Sequence, residues 1–477
     1  MHFKKITYLC VIFAWLAPLS SIRAEPIDLK KLKVPLSYSL GLAFPGSDPA
    51  HYYLIKDAGI GIVRLSVSWK HIQPHKNTFN WAGLDQRIAT LQRYNIQPFL
   101  TLESNATWAT KANSQQVKNG SPKDLNDWHQ FVTQVVDRYN FDGQNDAPKL
   151  LRPVKFYQVA NEWISNKNRS GGWADSTNSL IQYINTAYVA VKASDPEAAF
   201  VLGGIASFNL DTILLAEGLA NFQVQQRWSN KSQTLIRPQE AQSVGIKSIL
   251  NGHVREVLSK AKYDLADAHL YGPYQRDKKR IQLIANETNL PIQKIVSTEC
   301  GGPSLDYSDS YNNQDHFYAV LNRNLHLLST GSPFCLWFGL GELMTTTWGN
   351  RKVPLFDKNN KTKPGYFAYK LLAYLFDGEG GITIEHLKDI SSQAYQIKFP
   401  NSPTHPDIYV GLNIVQEKLI TKLDKAEFDT LCINSLNTRG SLTRNVTNVL
   451  NCDKGIVAIG TKLPSLRKIP KTNQIIQ

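Results

Sequence analysis

The feature that most limits what this chain can fold into is an alternation running from about residue 36 to 375. Short runs rich in Val, Ile, Leu, Phe and Tyr stand at 37–44, 61–69, 97–103, 155–163, 198–206, 265–271, 294–300 and 334–340. Stretches with helical periodicity, such as 84–94, 125–139, 180–193 and 314–329, separate most of them. A strand–helix repeat makes parallel sheet, because each helix carries the chain back to begin the next strand in the same direction. Eight repeats are what a closed (β/α)8, or TIM, barrel needs, and the predicted class is therefore α/β. The fifth unit is irregular: about 58 mostly polar, Gln-rich residues follow Ala206 before the next strand. Such an insertion can cap the C-terminal face of a barrel and shape a cleft there, or be a plain surface excursion.

The pattern changes after Phe376. Residues 377–381 (Asp-Gly-Glu-Gly-Gly) read as a hinge, and short alternating strands follow at 382–386, 394–399, 407–412, 430–433 and 456–459. The expected division is a barrel over 25–376 and a small all-β, sandwich-like domain over 377–477. At the other end, Lys4 and Lys5, the apolar run 6–19 and Ala24 have the order of a secretory signal peptide over 1–24. An uncleaved anchor is the alternative, but the run is short for a span of about 20 residues. Export to the periplasm or outside the cell is the resulting expectation, with no stable membrane insertion after cleavage.

The net charge of +14 draws attention to nucleic acid and acidic glycans as partners. No helix-turn-helix, zinc-finger or aromatic RNA-binding signature is present, so nucleic acid is not expected. A scattered solvated surface explains the charge equally simply. Cys300, Cys335, Cys432 and Cys452 remain after cleavage and form no CxxC pair, so no zinc site is expected. Cys432 and Cys452, both in the tail, are the expected disulfide, with Cys300 and Cys335 left as buried thiols. No G-x-S-x-G elbow, H-E-x-x-H helix or Gly-rich phosphate loop appears, which removes support for an esterase, a zinc protease or a nucleotide enzyme.

Two strand ends carry chemistry. The fourth strand ends Val159-Ala160-Asn161-Glu162-Trp163, and the seventh ends Ser297-Thr298-Glu299-Cys300. In a barrel the C-terminal strand ends converge on one face, where active sites sit. Two carboxyls there can straddle a glycosidic bond, one protonating the leaving oxygen and the other attacking the anomeric carbon. Attack needs an ionised group and protonation a neutral one, so their surroundings must push their pKa values apart.

At these residues the sequence resembles the glycoside hydrolases of clan A, nearest to family thirty-nine or family five. The resemblance covers roughly residues 36 to 375. It implies Glu162 as acid/base and Glu299 as nucleophile, with no cofactor or metal. It also implies site roles for Arg64 on the second strand, His269 and Tyr271 on the sixth and Trp337 on the eighth. Residues 79–85 look like the family's lead-in to the second helix. Ala106 and Thr107 depart from it, since clan members often carry Pro before the Trp after strand three.

Physical roles stand beside these. Arg64 can pair with Glu299 and hold its charge, Tyr271 can donate to the same carboxylate, and Asn161 can hold a sugar 2-hydroxyl. Trp337 and Trp108 offer flat faces for a sugar ring, with Trp69 and Trp163 weaker candidates. Plainer readings remain: Arg64 in a buried ion pair, His269 as a core histidine, Trp337 and Trp108 as packing. Glu103 ends the third strand and is left as a possible substrate contact. The expected function is a retaining hydrolase of β-linked oligo- or polysaccharide; the alternative is a catalytically inactive barrel that binds glycans.

Overall fold

The computed structural model describes residues 39–463 apart from 116, 169–170, 228–232, 303–312, 342–352, 358, 377–380, 401, 403–404, 414–418, 420–428, 434–444, 447–455 and 461–462. The signal segment and most of the proposed hinge lie outside the described residues. Among those described, no helix is long and apolar enough to cross a membrane.

Eight parallel strands close into a barrel. In chain order these are β1 (Leu40–Leu42), β2 (Ile62–Ser68), β3 (Gln97–Glu103), β4 (Phe156–Val159) and β5 (Ala199–Ile205). After the polar hairpin β6 (Val224–Arg227) and β7 (Gln233–Ile236) come β8 (Leu265–Ala268), β9 (Ile295–Cys300) and β10 (Cys335–Trp337). Around the barrel the order is β1-β10-β9-β8-β5-β4-β3-β2. Each barrel strand falls inside one of the eight expected runs, and most are shorter at their C-terminal ends, where the chain leaves the ladder to build the mouth.

Period-two alternation sorts the inward side chains into levels. At the bottom, Phe99, Phe156 and Phe334 form a plug, with ring centroids 5.5 Å apart for Phe99–Phe156 and 6.0 Å for Phe156–Phe334. Ile62, Val201, Leu265, Val296 and Leu336 complete this dry floor. One pleat higher the interior turns polar, with Arg64, Thr101, Gln158, Asp267 and Thr298 all buried. Each is hydrogen-bonded, as buried polar groups must be. Outside the barrel, amphipathic helices such as Leu125–Tyr139 and Thr177–Ser194 bury their apolar stripes on the strands and on each other.

The long fifth connection begins with a helix at Ser207–Ala216, runs through the hairpin and ends in helical turns, including a π-helical turn at Leu250–Val254. Two arginines of the basic stretch Arg276-Asp277-Lys278-Lys279-Arg280 anchor it. Arg276 and Arg280 both reach Asp211 at 2.7 Å, and Arg280 is wholly buried. The π-helical turn carries His253 to 3.3 Å from the carbonyl of Trp163, one residue past Glu162. The insertion therefore touches the mouth.

The tail forms one antiparallel sheet of β11 (Thr383–His386), β12 (Ala394–Lys398), β13 (Ile408–Leu412), β14 (Asp429–Ile433), β15 (Asn445–Val446) and β16 (Ile456–Gly460). Its order is β11-β12-β13-β16-β14-β15, so β16, the last in sequence, is a central strand and is buried throughout. The sheet docks on the helix Asn313–Leu328 of the barrel: Gln393 donates to Asn322 and to Tyr274, and the rings of His326 and His386 lie 5.7 Å apart.

One covalent expectation is corrected. Cys300 and Cys335 are not free thiols but a disulfide, with Cα atoms 6.1 Å apart. They sit on neighbouring strands β9 and β10, where sheet pairing brings the two Cα atoms within bridging reach. The Cys432–Cys452 pair lies outside the described side chains.

Candidate active site

The end of β4 is bent out of the sheet by two residues in left-handed conformation, Ala160 (φ 67°) and Glu162 (φ 48°). Non-glycine residues rarely adopt this region and cluster at functional sites when they do. Here the bend is held from both sides. Glu162 N–H donates to the carbonyl of Gly204 at 2.9 Å, Trp163 Nε1–H to that of Gly203 at 2.9 Å, and Gly172 N–H to that of Asn161 at 2.7 Å. Gly203 and Gly204 have to be glycines. A Cβ on Gly203 would stand 2.0 Å from the Ala160 carbonyl oxygen, and one on Gly204 would stand 2.1 Å from the His269 ring.

The bend delivers Glu162 to the mouth opposite Glu299 at the end of β9. One carboxylate oxygen of each, together with a ring nitrogen of His269, lie within 4.8 Å of one another. Arg64 rises from the polar level and spends its whole fork here: Nη1 donates to Glu299 Oε2 at 3.1 Å, Nη2 to Asn161 Oδ1 at 2.8 Å and Nε to Thr101 Oγ1 at 2.8 Å. Tyr271 Oη donates to the other Glu299 oxygen at 2.9 Å. Glu299 is thus held on both oxygens, one by a cation and one by a phenol.

His269 is wholly buried among three carboxylates. Its Nδ1 is 3.0 Å from Glu162 and 3.8 Å from Glu299, and its Nε2 is 3.5 Å from Asp267. Burial opposes a charge on this ring, but Glu299, Asp267 and Glu162 outweigh burial and raise its pKa to about 10. Glu162 shows the reciprocal effect. Burial pushes its carboxyl upward, yet the hydrogen bond and charge of His269, a hydrogen bond from Asn168 and the charge of Arg64 hold it below the usual carboxylate range. The resting site therefore keeps a proton on His269, directed at an ionised Glu162.

Asn168 Nδ2 donates to Glu162 Oε2 at 2.6 Å. No sequence signal marks it, because it lies six residues downstream in a polar loop. Asp267 has a clearer signal: it stands two residues before His269 on β8, so both point inward. Gln158 and Thr298 tie it into the polar level.

The tryptophans do not all fit their expected use. Trp337 is wholly buried, its Nε1–H donating to Val353 O at 2.8 Å, so it offers no open face to a sugar in this structure. Trp69 and Trp163 are likewise buried. Trp108 is half-buried, edge-on to Trp69 and tied to the Gln73 carbonyl. The structure brings together Glu162, Glu299, Arg64, Asn161, His269 and Tyr271, and leaves Trp108 and Trp337 outside their hydrogen-bonded cluster.

Fold and site together define a (β/α)8 barrel with paired carboxylates at its mouth. Residues 49–141 match the model of a family described as Glyco_hydro_42: Beta-galactosidase. That span runs from the helical segment between β1 and β2 to just past the helix that follows β3, short of both glutamates. No match is found among curated proteins. Among solved structures, the chain is similar to a family 39 glycoside hydrolase from Bacteroides cellulosilyticus, at 13% identity over 90% of this chain and 82% of that one, with a TM-score of 0.54. It is also similar to a monomeric beta-xylosidase from Caulobacter crescentus, at 15% identity over 91% and 97%, TM-score 0.51. A glucosidase from Croceicoccus marinus aligns at 12% identity over 88% and 81%, TM-score 0.52. At such identities the likeness shows a shared fold along nearly the whole chain.

Proposed function

We propose that this protein is an exported retaining glycoside hydrolase acting on a β-linked oligo- or polysaccharide. The observation that carries the reading is that one oxygen of each carboxylate lies within 4.8 Å of one oxygen of the other, which favours the narrow spacing over the wide one. Retaining enzymes hold their carboxyls about 5–5.5 Å apart, whereas inverting ones leave about 6.5–9.5 Å for a water. The family match and the fold shared with glycosidases support the same class.

In the first step Glu299 attacks the anomeric carbon while the glycosidic oxygen takes a proton from Glu162; the carbon–oxygen bond to the leaving group breaks as the bond to Glu299 forms. His269 is the reservoir for that proton, since its Nδ1 lies 3.0 Å from Glu162. Glycosylation then removes the negative charge of Glu299, one of the anions that hold the proton on His269. In the second step water gives a proton to Glu162 and its oxygen to the anomeric carbon, releasing Glu299.

The test is hydrolysis of a panel of aryl β-glycosides and polysaccharides, followed by NMR of the product anomer. The β anomer is expected first; an α product would sink the nucleophile role. Glu299→Ala should be inactive though folded. Glu162→Ala should lose roughly 10²–10⁴-fold, most on leaving groups that need protonation. Glycan binding without turnover on any substrate would favour the inactive binding module instead.

A further inference from the structure

Glu103 is the last residue of β3, and alternation from Phe99 through Thr101 turns it into the barrel at the mouth. It pairs across β2–β3 with Ser68, one pleat above the Ser66–Thr101 pair and two above the Arg64–Phe99 pair. It is buried, and its Oε1 lies 2.8 Å from Nζ of Lys118. Among the described residues Oε1 meets no well-directed donor apart from that ammonium, and the Ser66 hydroxyl also bonds the carboxylate. Asn105 reaches Oε2 at 3.3 Å. Lys118 keeps 29% of its side chain exposed, so the pair is not sealed off on the lysine side. Its loop is firmly tied: Ser104 Oγ donates to the Gly120 carbonyl at 2.7 Å, Gly120 N–H to that of Ser104 at 2.6 Å, and Lys118 N–H to that of Gly171 at 3.1 Å. That last bond joins the Lys118 loop to the segment that follows Glu162.

A buried ion pair is a weak source of stability, often no better than apolar packing of the same size. This one stands at the mouth end of β3, between the strand that carries Arg64 and the strand that leads to Glu162, where its hydrogen-bonding capacity can serve a ligand. A carboxylate only accepts and an ammonium only donates, so together they match two neighbouring hydroxyls of one sugar ring. We propose that Glu103 and Lys118 form a specificity element that reads two adjacent secondary hydroxyls of the sugar held against Glu299. The inference rests on the hydrolase reading above. A site built on such groups discriminates strongly, because a missing hydroxyl leaves a desolvated charge unpaired.

The experiment uses the 4-nitrophenyl β-glycoside that the wild type turns over best, with its 3-deoxy and 4-deoxy analogues. The wild type is expected to prefer the parent over at least one analogue by about 100-fold or more in kcat/KM. Lys118→Met and Glu103→Gln should bring that ratio to within about tenfold of unity, mainly by slowing the parent. Should either variant fail to fold, Lys118→Arg keeps the charge and alters the reach, and should still change the ratio. A wild type that ignores both deletions, or variants that keep the wild-type ratio, would overturn the proposal. Trapping with a 2-deoxy-2-fluoro glycoside separates the two readings. A wild type labelled on Glu299 whose variants discriminate unchanged ends this inference alone. A wild type that neither turns over nor becomes labelled ends the hydrolase reading and this inference with it.

Discussion

Asn168 shows how one amide can set the working range of an acid. Its hydrogen bond favours the ionised form of Glu162, lowering that carboxyl's pKa. Asn168→Ala should therefore move the proton shared with His269 toward Glu162, and the alkaline limb of the kcat/KM profile, which reports loss of that shared proton, should move to higher pH. A profile scaled down with its limbs unmoved would make Asn168 merely structural. Arg64→Met should cost activity well beyond any loss of melting temperature, since the guanidinium serves Glu299 and Asn161 at once. The residues that sequence reasoning reached, Glu162, Glu299, Arg64, His269 and Tyr271, all lie on or just beyond strand-like runs, where alternation tells which way a side chain points. Asn168 and Lys118 were out of reach because their contacts depend on loop paths that no local period dictates. Trp337 kept two readings, sugar platform and packing, for a related reason: an aromatic at a strand end has a known direction, but what covers it is decided by the rest of the fold.

Among elements, β5 matters for what it lacks. Gly203-Gly204 lets the bent end of β4 and the His269 ring close in on the strand. Gly203→Ala should destabilise the fold by about 1–3 kcal/mol, the ordinary cost of overpacking. Gly204→Ala should act on turnover first, because its methyl would meet His269; chemical denaturation run beside kinetics tells the two apart. The dock between barrel and tail sheet gives a pH prediction. Burial first, then His386, Arg323, Lys278 and Lys388, bring the pKa of His326 down to about 4, and among the described residues neither buried ring nitrogen has a hydrogen-bond partner. The unfolded chain binds that proton near pH 6.5. The neutral ring's contribution is thus complete above about 6.5 and is lost as pH falls toward 4. Melting curves across that range should show the decline, and His326→Phe should flatten it. Eight barrel strands were legible because buried parallel strands read as continuous apolar runs. The hairpin β6–β7 was not, because Gln-rich polar strands carry little periodicity, and β15 is only two residues long.

For the molecule as a whole, the covalent tie is the feature with the widest reach. The Cys300–Cys335 bridge joins the barrel's last two strands, and Cys300 directly follows Glu299. Replacing both cysteines by serine should lower stability by about 2–4 kcal/mol. It should also loosen Glu299, the proposed nucleophile, against Arg64 and Tyr271, which labelling kinetics at Glu299 would register as slower trapping. Disulfides persist in oxidising compartments, and the export proposed above would deliver the chain to one. Protein made where thiols stay reduced is then a mixture of linked and unlinked barrels whose proportion changes with handling and storage. Specific activity per milligram would drift between batches with no change in purity, and only a count of titratable nucleophiles would make two preparations comparable.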